Sequence, residues 1–142
     1  MKKFFMMMAA MMLTFNVALM ADDNRVITYD QLPQTAKTLL SQHFAKKVPL
    51  VVTMDWDEYE ILYQSGEKVE FNKRGEWKSI DCRVSAVPSV LIPEQIKSHI
   101  KATFPGTTII KLERDRRGYG VKLNNGLEVE YNTRFQVVEI DD

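Results

Sequence analysis

The sequence predicts a two-layer α+β fold in two tandem copies, each a helix followed by a four-stranded antiparallel meander. Three observations predict it. The first is an internal repeat: GEKVEFN, Gly66 to Asn72, returns as GLEVEYN, Gly126 to Asn132, at an offset of sixty residues. Without a gap, residues 33–81 match 93–141 at twelve of forty-nine positions, where ordinary composition gives roughly three. The second is a change of period within each copy, from helical spacing to strict alternation. The third is the tightness of the turns between alternating runs, too short for parallel crossovers.

Lys2 and Lys3, the apolar run from Phe4 to Met20 and the abruptly polar Asp22-Asp23 have the order of a secretory signal peptide, read here as residues 1–21. The run is shorter than the roughly 20 residues of a spanning helix, so no membrane anchor is expected after cleavage. Residues 22–142 form the mature domain, with repeats at about 28–82 and 88–142. That domain carries 17 basic and 19 acidic residues, a net charge of −2, which excludes the basic footprint of a nucleic-acid binder. Cys82 is the only cysteine; in an oxidising compartment it is expected to be buried as a small hydrophobe.

Residues 22–31 read as a polar lead-in, with Asp30 as a helix cap and Pro33 in the first turn. Leu32, Ala36, Leu39, Leu40, His43 and Phe44 form one apolar stripe. From Leu50 the period is two: Leu50, Val52, Met54 and Trp56 share a face, Asp57-Glu58 turns, and Tyr59, Ile61 and Tyr63 face the core. Gln64 to Glu67 is a hairpin turn, Val69 and Phe71 continue the core face, and Glu76 to Asp81 is the fourth strand. Pro88 marks the boundary between copies. Ile92, Ile96, Ile100 and Phe104 make the second stripe, stopped by Pro105-Gly106. Ile109 to Arg114 is the next strand; Tyr119, Val121 and Leu123 follow. Asn124-Asn125-Gly126 is a strong hairpin signal. Leu127, Val129 and Tyr131, then Phe135 to Ile140, complete the second meander.

Opposite the core face, Glu60, Lys68, Glu70 and Lys78 in the first copy and Lys122, Glu128 and Glu130 in the second point the other way. This polar face is expected to be open to water and is the candidate binding surface. No catalytic set emerges. His43 and His99 lie on helix stripes with no acidic partner at useful spacing, and no zinc pattern or glycine-rich phosphate loop exists. Asp55, Asp57 and Glu58 are close in sequence but lack the spacing of a calcium loop, and read as a solvated hairpin tip. Arg114-Asp115-Arg116-Arg117 reads as a second tip, with contact to an anion as its sharper alternative. Trp56 and Trp77 have no aromatic twins; packing is expected for both, with an interface role as the alternative.

The order Leu-Pro or Ile-Pro, helix ending in Phe, Gly-Tyr strand and Asn-Gly-x-Glu-x-x-Tyr-Asn hairpin, with Glu76 to Cys82 at the junction, resembles the PepSY-like family of exported bacterial proteins, likened in fold to the beta-lactamase inhibitor protein. The resemblance spans residues 27–142. It implies one continuous curved sheet of eight strands with the helices on one face, and a periplasmic or secreted location. It carries over no functional residue, because fold does not carry function. The expectation is therefore a non-enzymatic exported module that contacts a protein or peptide through the open face or loop tips, with no metal and no cofactor. The alternatives are a small-ligand or ion binder of the envelope and, more remotely, a hydrolase.

Overall fold

The computed structural model describes residues 24–142; the expected signal peptide lies outside the described residues. The described residues form nine strands and two α-helices, each helix followed by four strands. The first copy holds β1 (Arg25–Ile27), α1 (Gln34–His43), β2 (Pro49–Met54), β3 (Glu58–Tyr63), β4 (Lys68–Asn72) and β5 (Trp77–Asp81). The second holds α2 (Glu94–Thr103), β6 (Ile109–Asp115), β7 (Gly118–Leu123), β8 (Glu128–Asn132) and β9 (Val137–Asp141). A 3-10 turn precedes each helix, at Tyr29–Gln31 and at Ser89–Leu91, again sixty residues apart. The strands follow chain order in one sheet, β1 to β9. By contacts the described chain divides into two units, one ending at Ser79 and one running from Ile80 to Asp142.

The count of eight strands is corrected to nine. Arg25, Val26 and Ile27, expected to be lead-in, pair antiparallel with Met54, Thr53 and Val52. Three residues are too few to show a period, so the strand leaves no signature of its own. Asp30 is not the helix cap either. Pro33 occupies that position without a side-chain hydrogen bond, and Gln31 Oε1 instead accepts the Thr28 backbone N–H at 2.8 Å. Asp30 contributes its carbonyl, which accepts from Lys37 Nζ at 3.2 Å.

Within the first unit, Leu32, Ala36, Leu40, Phe44, Val52, Ile61, Val69 and Phe71 are buried. Phe44 stacks on Tyr63 with ring centres 5.6 Å apart. Within the second, Ile92, Ile96, Ile100, Leu112, Val121, Val129 and Tyr131 are buried. There His99 shares a 2.8 Å hydrogen bond with the Tyr131 hydroxyl, and its ring meets Tyr131 edge-on. Each helix thus supplies one apolar stripe to its own core. Leu50 departs from expectation. The β2–β3 register shifts between Pro49 and Val51, so Leu50 falls out of the alternation and is exposed.

The repeated Asn of the motif has a structural task. Asn72 Oδ1 accepts the N–H groups of Arg74 (2.9 Å) and Glu76 (3.0 Å), and its Nδ2 donates to Glu76 Oε1 at 2.8 Å. Asn132 repeats all three bonds with Arg134 and Gln136. A short side chain that mimics the backbone closes both turns.

Candidate functional site

Strand alternation sends Glu58, Glu60, Lys68, Glu70 and Lys78 to the side of the sheet opposite the α1 core. Glu60 and Glu70 are direct cross-strand partners in the β3–β4 ladder. Two carboxylates so placed repel, and lysines answer them. Lys68 Nζ lies 3.9 Å from Glu70 and 4.0 Å from Glu60, and Lys78 Nζ donates to Glu58 Oε2 at 2.7 Å. The expectation of an open face is corrected here. Lys68 is 8% exposed and Glu70 only 2%, while Glu60 is half-buried. Lys68 and Glu70 are withdrawn from water with their opposite charges 3.9 Å apart. Burial, then the charges of Glu60 and Glu58, push the Glu70 carboxyl up to about 8 against the pull of Lys68 and Lys78. Burial likewise raises Glu60 and Glu58.

In the second unit Lys122, Glu128 and Glu130 are half-buried. Lys122 and Glu128 face each other across β7 and β8. Sequence reasoning missed two neighbours on β6, Lys111 and Glu113. Their ion pair spans 3.0 Å, Glu113 is buried, and burial pushes its carboxyl up to about 7. The alternation around Leu112 was the signal that could have found them. Glu58 was missed because it was read as turn; it is the first residue of β3.

The β2–β3 tip is the second feature. Asp55 Oδ1 accepts the N–H groups of Asp57 (3.0 Å) and Glu58 (2.9 Å). This turn gathers carboxylate oxygens of Asp55, Asp57 and Glu58 within 4.8 Å of one another. Desolvation, then a hydrogen bond and charge repulsion from Asp55, raise the Asp57 carboxyl. Trp56 stands between the two aspartates and is 76% exposed. The expectation that it packs is corrected: its position lies beyond the end of β2, in the turn, where no core is within reach. Trp77, by contrast, is buried. The equivalent β6–β7 tip is built differently. Arg117 stands where Asp57 does, and its guanidinium pairs with Asp115 Oδ2 at 2.9 Å. That pair offsets one of the three arginines of the basic tip, Arg114, Arg116 and Arg117.

The described residues bring together no nucleophile, base and orienting group, and nothing in them points to catalysis. No helix among them is long and apolar enough to cross a membrane.

The pattern of the PepSY-like family, provisionally described as beta-lactamase-inhibitor-like, matches residues 19–62 and again 57–139. Three solved structures share the fold. A periplasmic protein of the DUF2874 family from Bacteroides vulgatus, so assigned provisionally, is 39% identical with a TM-score of 0.82, over 86% of this chain and 99% of that one. A Bacteroides thetaiotaomicron protein, provisionally named calcium-regulated and periplasmic, is 35% identical with a TM-score of 0.82, over 86% and 99%. A second Bacteroides vulgatus protein, provisionally periplasmic and of unknown function, is 32% identical with a TM-score of 0.80, over 84% and 99%. None of the curated proteins compared matches the chain. The location is the one these relatives share: the chain is periplasmic or secreted.

Proposed function

Because the chain belongs to the PepSY-like family, we propose that it is a non-enzymatic binding module of the cell envelope that holds a protein or peptide partner. One observation carries this reading. Trp56 is held out in water on a hairpin tip whose backbone is fixed by Asp55, and the repeat does not require it, since its twin is Arg116. A tryptophan presented from a rigid turn is the kind of anchor that dominates interfaces. The inhibitor-like description of the family supports recognition over turnover. The half-buried Lys122, Glu128 and Glu130 offer a second, charged contact surface.

The test is capture from periplasmic extract with wild-type and variant baits. Trp56→Ala should lose the partner while thermal unfolding is unchanged, because the side chain touches no core. Lys122→Ala with Glu130→Ala should weaken capture by a smaller factor. A partner retained by Trp56→Ala at wild-type yield removes the tip from the contact surface.

A second reading concerns the same tip: calcium held by Asp55, Asp57 and Glu58. Its support is the gathering of three carboxylates where the twin loop carries its own cation, Arg117, and the calcium-regulated name of one relative. Three carboxylates are fewer than the six to eight oxygens calcium takes, so water or backbone carbonyls complete the shell, and Lys78 releases Glu58. Calcium should then raise the melting temperature and alter tryptophan emission, and Asp57→Asn should abolish both. No response at ~10 mM, above the range of weak extracellular sites, ends this reading.

A further inference from the structure

Both units carry a cleft at the same place in the repeat, between the C-terminal half of the helix and the start of the next strand. In the first unit it measures about 350 Å³ and is lined by Tyr29, Leu40, Phe44, Lys47, Pro49 and Tyr63. In the second it measures about 300 Å³, with Ile92, Lys97, Ile100, Lys101, Phe104 and Ile109 among its walls. Leu40, Phe44 and Pro49 stand sixty residues before Ile100, Phe104 and Ile109. The duplication made the cleft twice, and divergence relined it.

The floors are alike and the rims differ. In the first unit Lys47 meets a carboxylate of its own chain, Glu67, at 2.9 Å. In the second unit Leu127 replaces Glu67 and Lys101 replaces Ser41. Lys97 there is occupied, paired with Glu94 at 3.0 Å and donating to Ser89 Oγ at 3.1 Å. Lys101 is exposed and has no acceptor among the described residues. An apolar cleft of this size, with one lysine of its rim paired to Glu94 and the other, Lys101, left for a ligand, has the makeup of a small-ligand site: an apolar body for burial and a polar group for orientation.

We propose that the cleft of the second unit binds a small apolar carboxylate, an aliphatic or aromatic acid. Its body lies on Ile92, Ile100, Phe104 and Ile109, and its carboxylate pairs with Lys101. The ligand brings to this rim the negative charge that Glu67 supplies in the first unit. An uncharged molecule of the same shape gains the apolar contact alone.

The test titrates the protein recovered from the periplasm with sodium octanoate and, separately, with octanol, by calorimetry, and locates each by amide shifts. Octanoate should bind saturably and about tenfold more tightly than octanol, the scale of one charge-assisted hydrogen bond. Its shifts should centre on Gly106, Thr107 and Ile109. Lys101→Glu should weaken octanoate about tenfold, leave octanol unchanged and keep the melting temperature, since the residue is exposed. Lys101→Arg should retain binding. Absent octanoate binding, equal affinity for octanol, indifference to Lys101→Glu, or shifts confined to the first-unit cleft would each overturn the proposal.

Discussion

At the scale of single residues, the two copies solve one turn in two ways. Gly75 and Phe135 are twins, and both have positive φ, 85° and 61°. A Cβ on Gly75 would lie 2.8 Å from Pro33 Cβ and 3.0 Å from the Ala36 nitrogen. Gly75→Ala therefore combines an unfavourable backbone with a clash against helix α1, and should cost about 1–3 kcal/mol in denaturant unfolding. Phe135 accepts the same strained backbone and stacks on Tyr119 with ring centres 5.4 Å apart, so Phe135→Gly relieves strain but loses that stack. Glu70 gives a pH prediction. Its carboxyl holds a proton to about pH 8, whereas an unfolded glutamate loses it near 4.5. Between those values the unfolded chain binds fewer protons, so stability falls as pH rises. Glu70→Gln should match the wild type at pH 4 and exceed it at pH 8 to 9, by several degrees in melting temperature. Equal slopes in the two proteins would show that Glu70 ionises normally. The sequence indicated that Glu70 leaves the core side, because alternation fixes direction. It could not indicate burial, because alternation fixes the side of the sheet a residue faces and not its exposure.

At the scale of elements, the helices show why periodicity served so well and where it stopped. Ala36 and Ile96 occupy the same position in α1 and α2, and both are fully buried. Ala36 sits where α1 comes close to Gly75; the second unit has the larger residue at both positions. Ile96→Ala should cost about 2–5 kcal/mol through the cavity it leaves. Ala36→Ile should cost about 1–3 kcal/mol by overpacking. Urea melts of both variants check the pair, and a neutral Ala36→Ile would mean that α1 has room to shift. The long stripes and Gly-centred hairpins were legible because each repeats a period over many residues. Three other features were not. β1 is too short to show a period, and Leu50 drops out at a register shift that only the ladder reveals. Ile140, twin of the buried Ile80, is exposed because β9 has a neighbour on one side only. A repeat transmits residue types, while burial follows from which strand comes next. The cleft under each helix was illegible for a similar reason: its walls come from segments apart in sequence, and only their alignment across the copies marks it as one feature.

At the scale of the whole molecule, the duplication places one thiol near the junction, and that thiol reports on folding. Cys82 is buried and not in a disulfide, as its solitary position implied. It lies just after β5, within a few residues of the contact division between Ser79 and Ile80. Its N–H donates to the Ile110 carbonyl at 2.9 Å. Its own carbonyl accepts from the Ser85 N–H at 3.0 Å and from Ser85 Oγ at 3.0 Å. Reagent can reach the buried sulfur only when the segment around it opens. Such an opening costs a large share of the global stability, which for a domain is roughly 5–15 kcal/mol. Alkylation of Cys82 in the native protein should therefore be at least about a thousandfold slower than in the unfolded chain. Raised denaturant should speed it along the same curve that describes loss of circular dichroism. Coincidence of the two curves means that the junction opens only with the fold. Fast alkylation without denaturant would mean that residues 80–87 open locally.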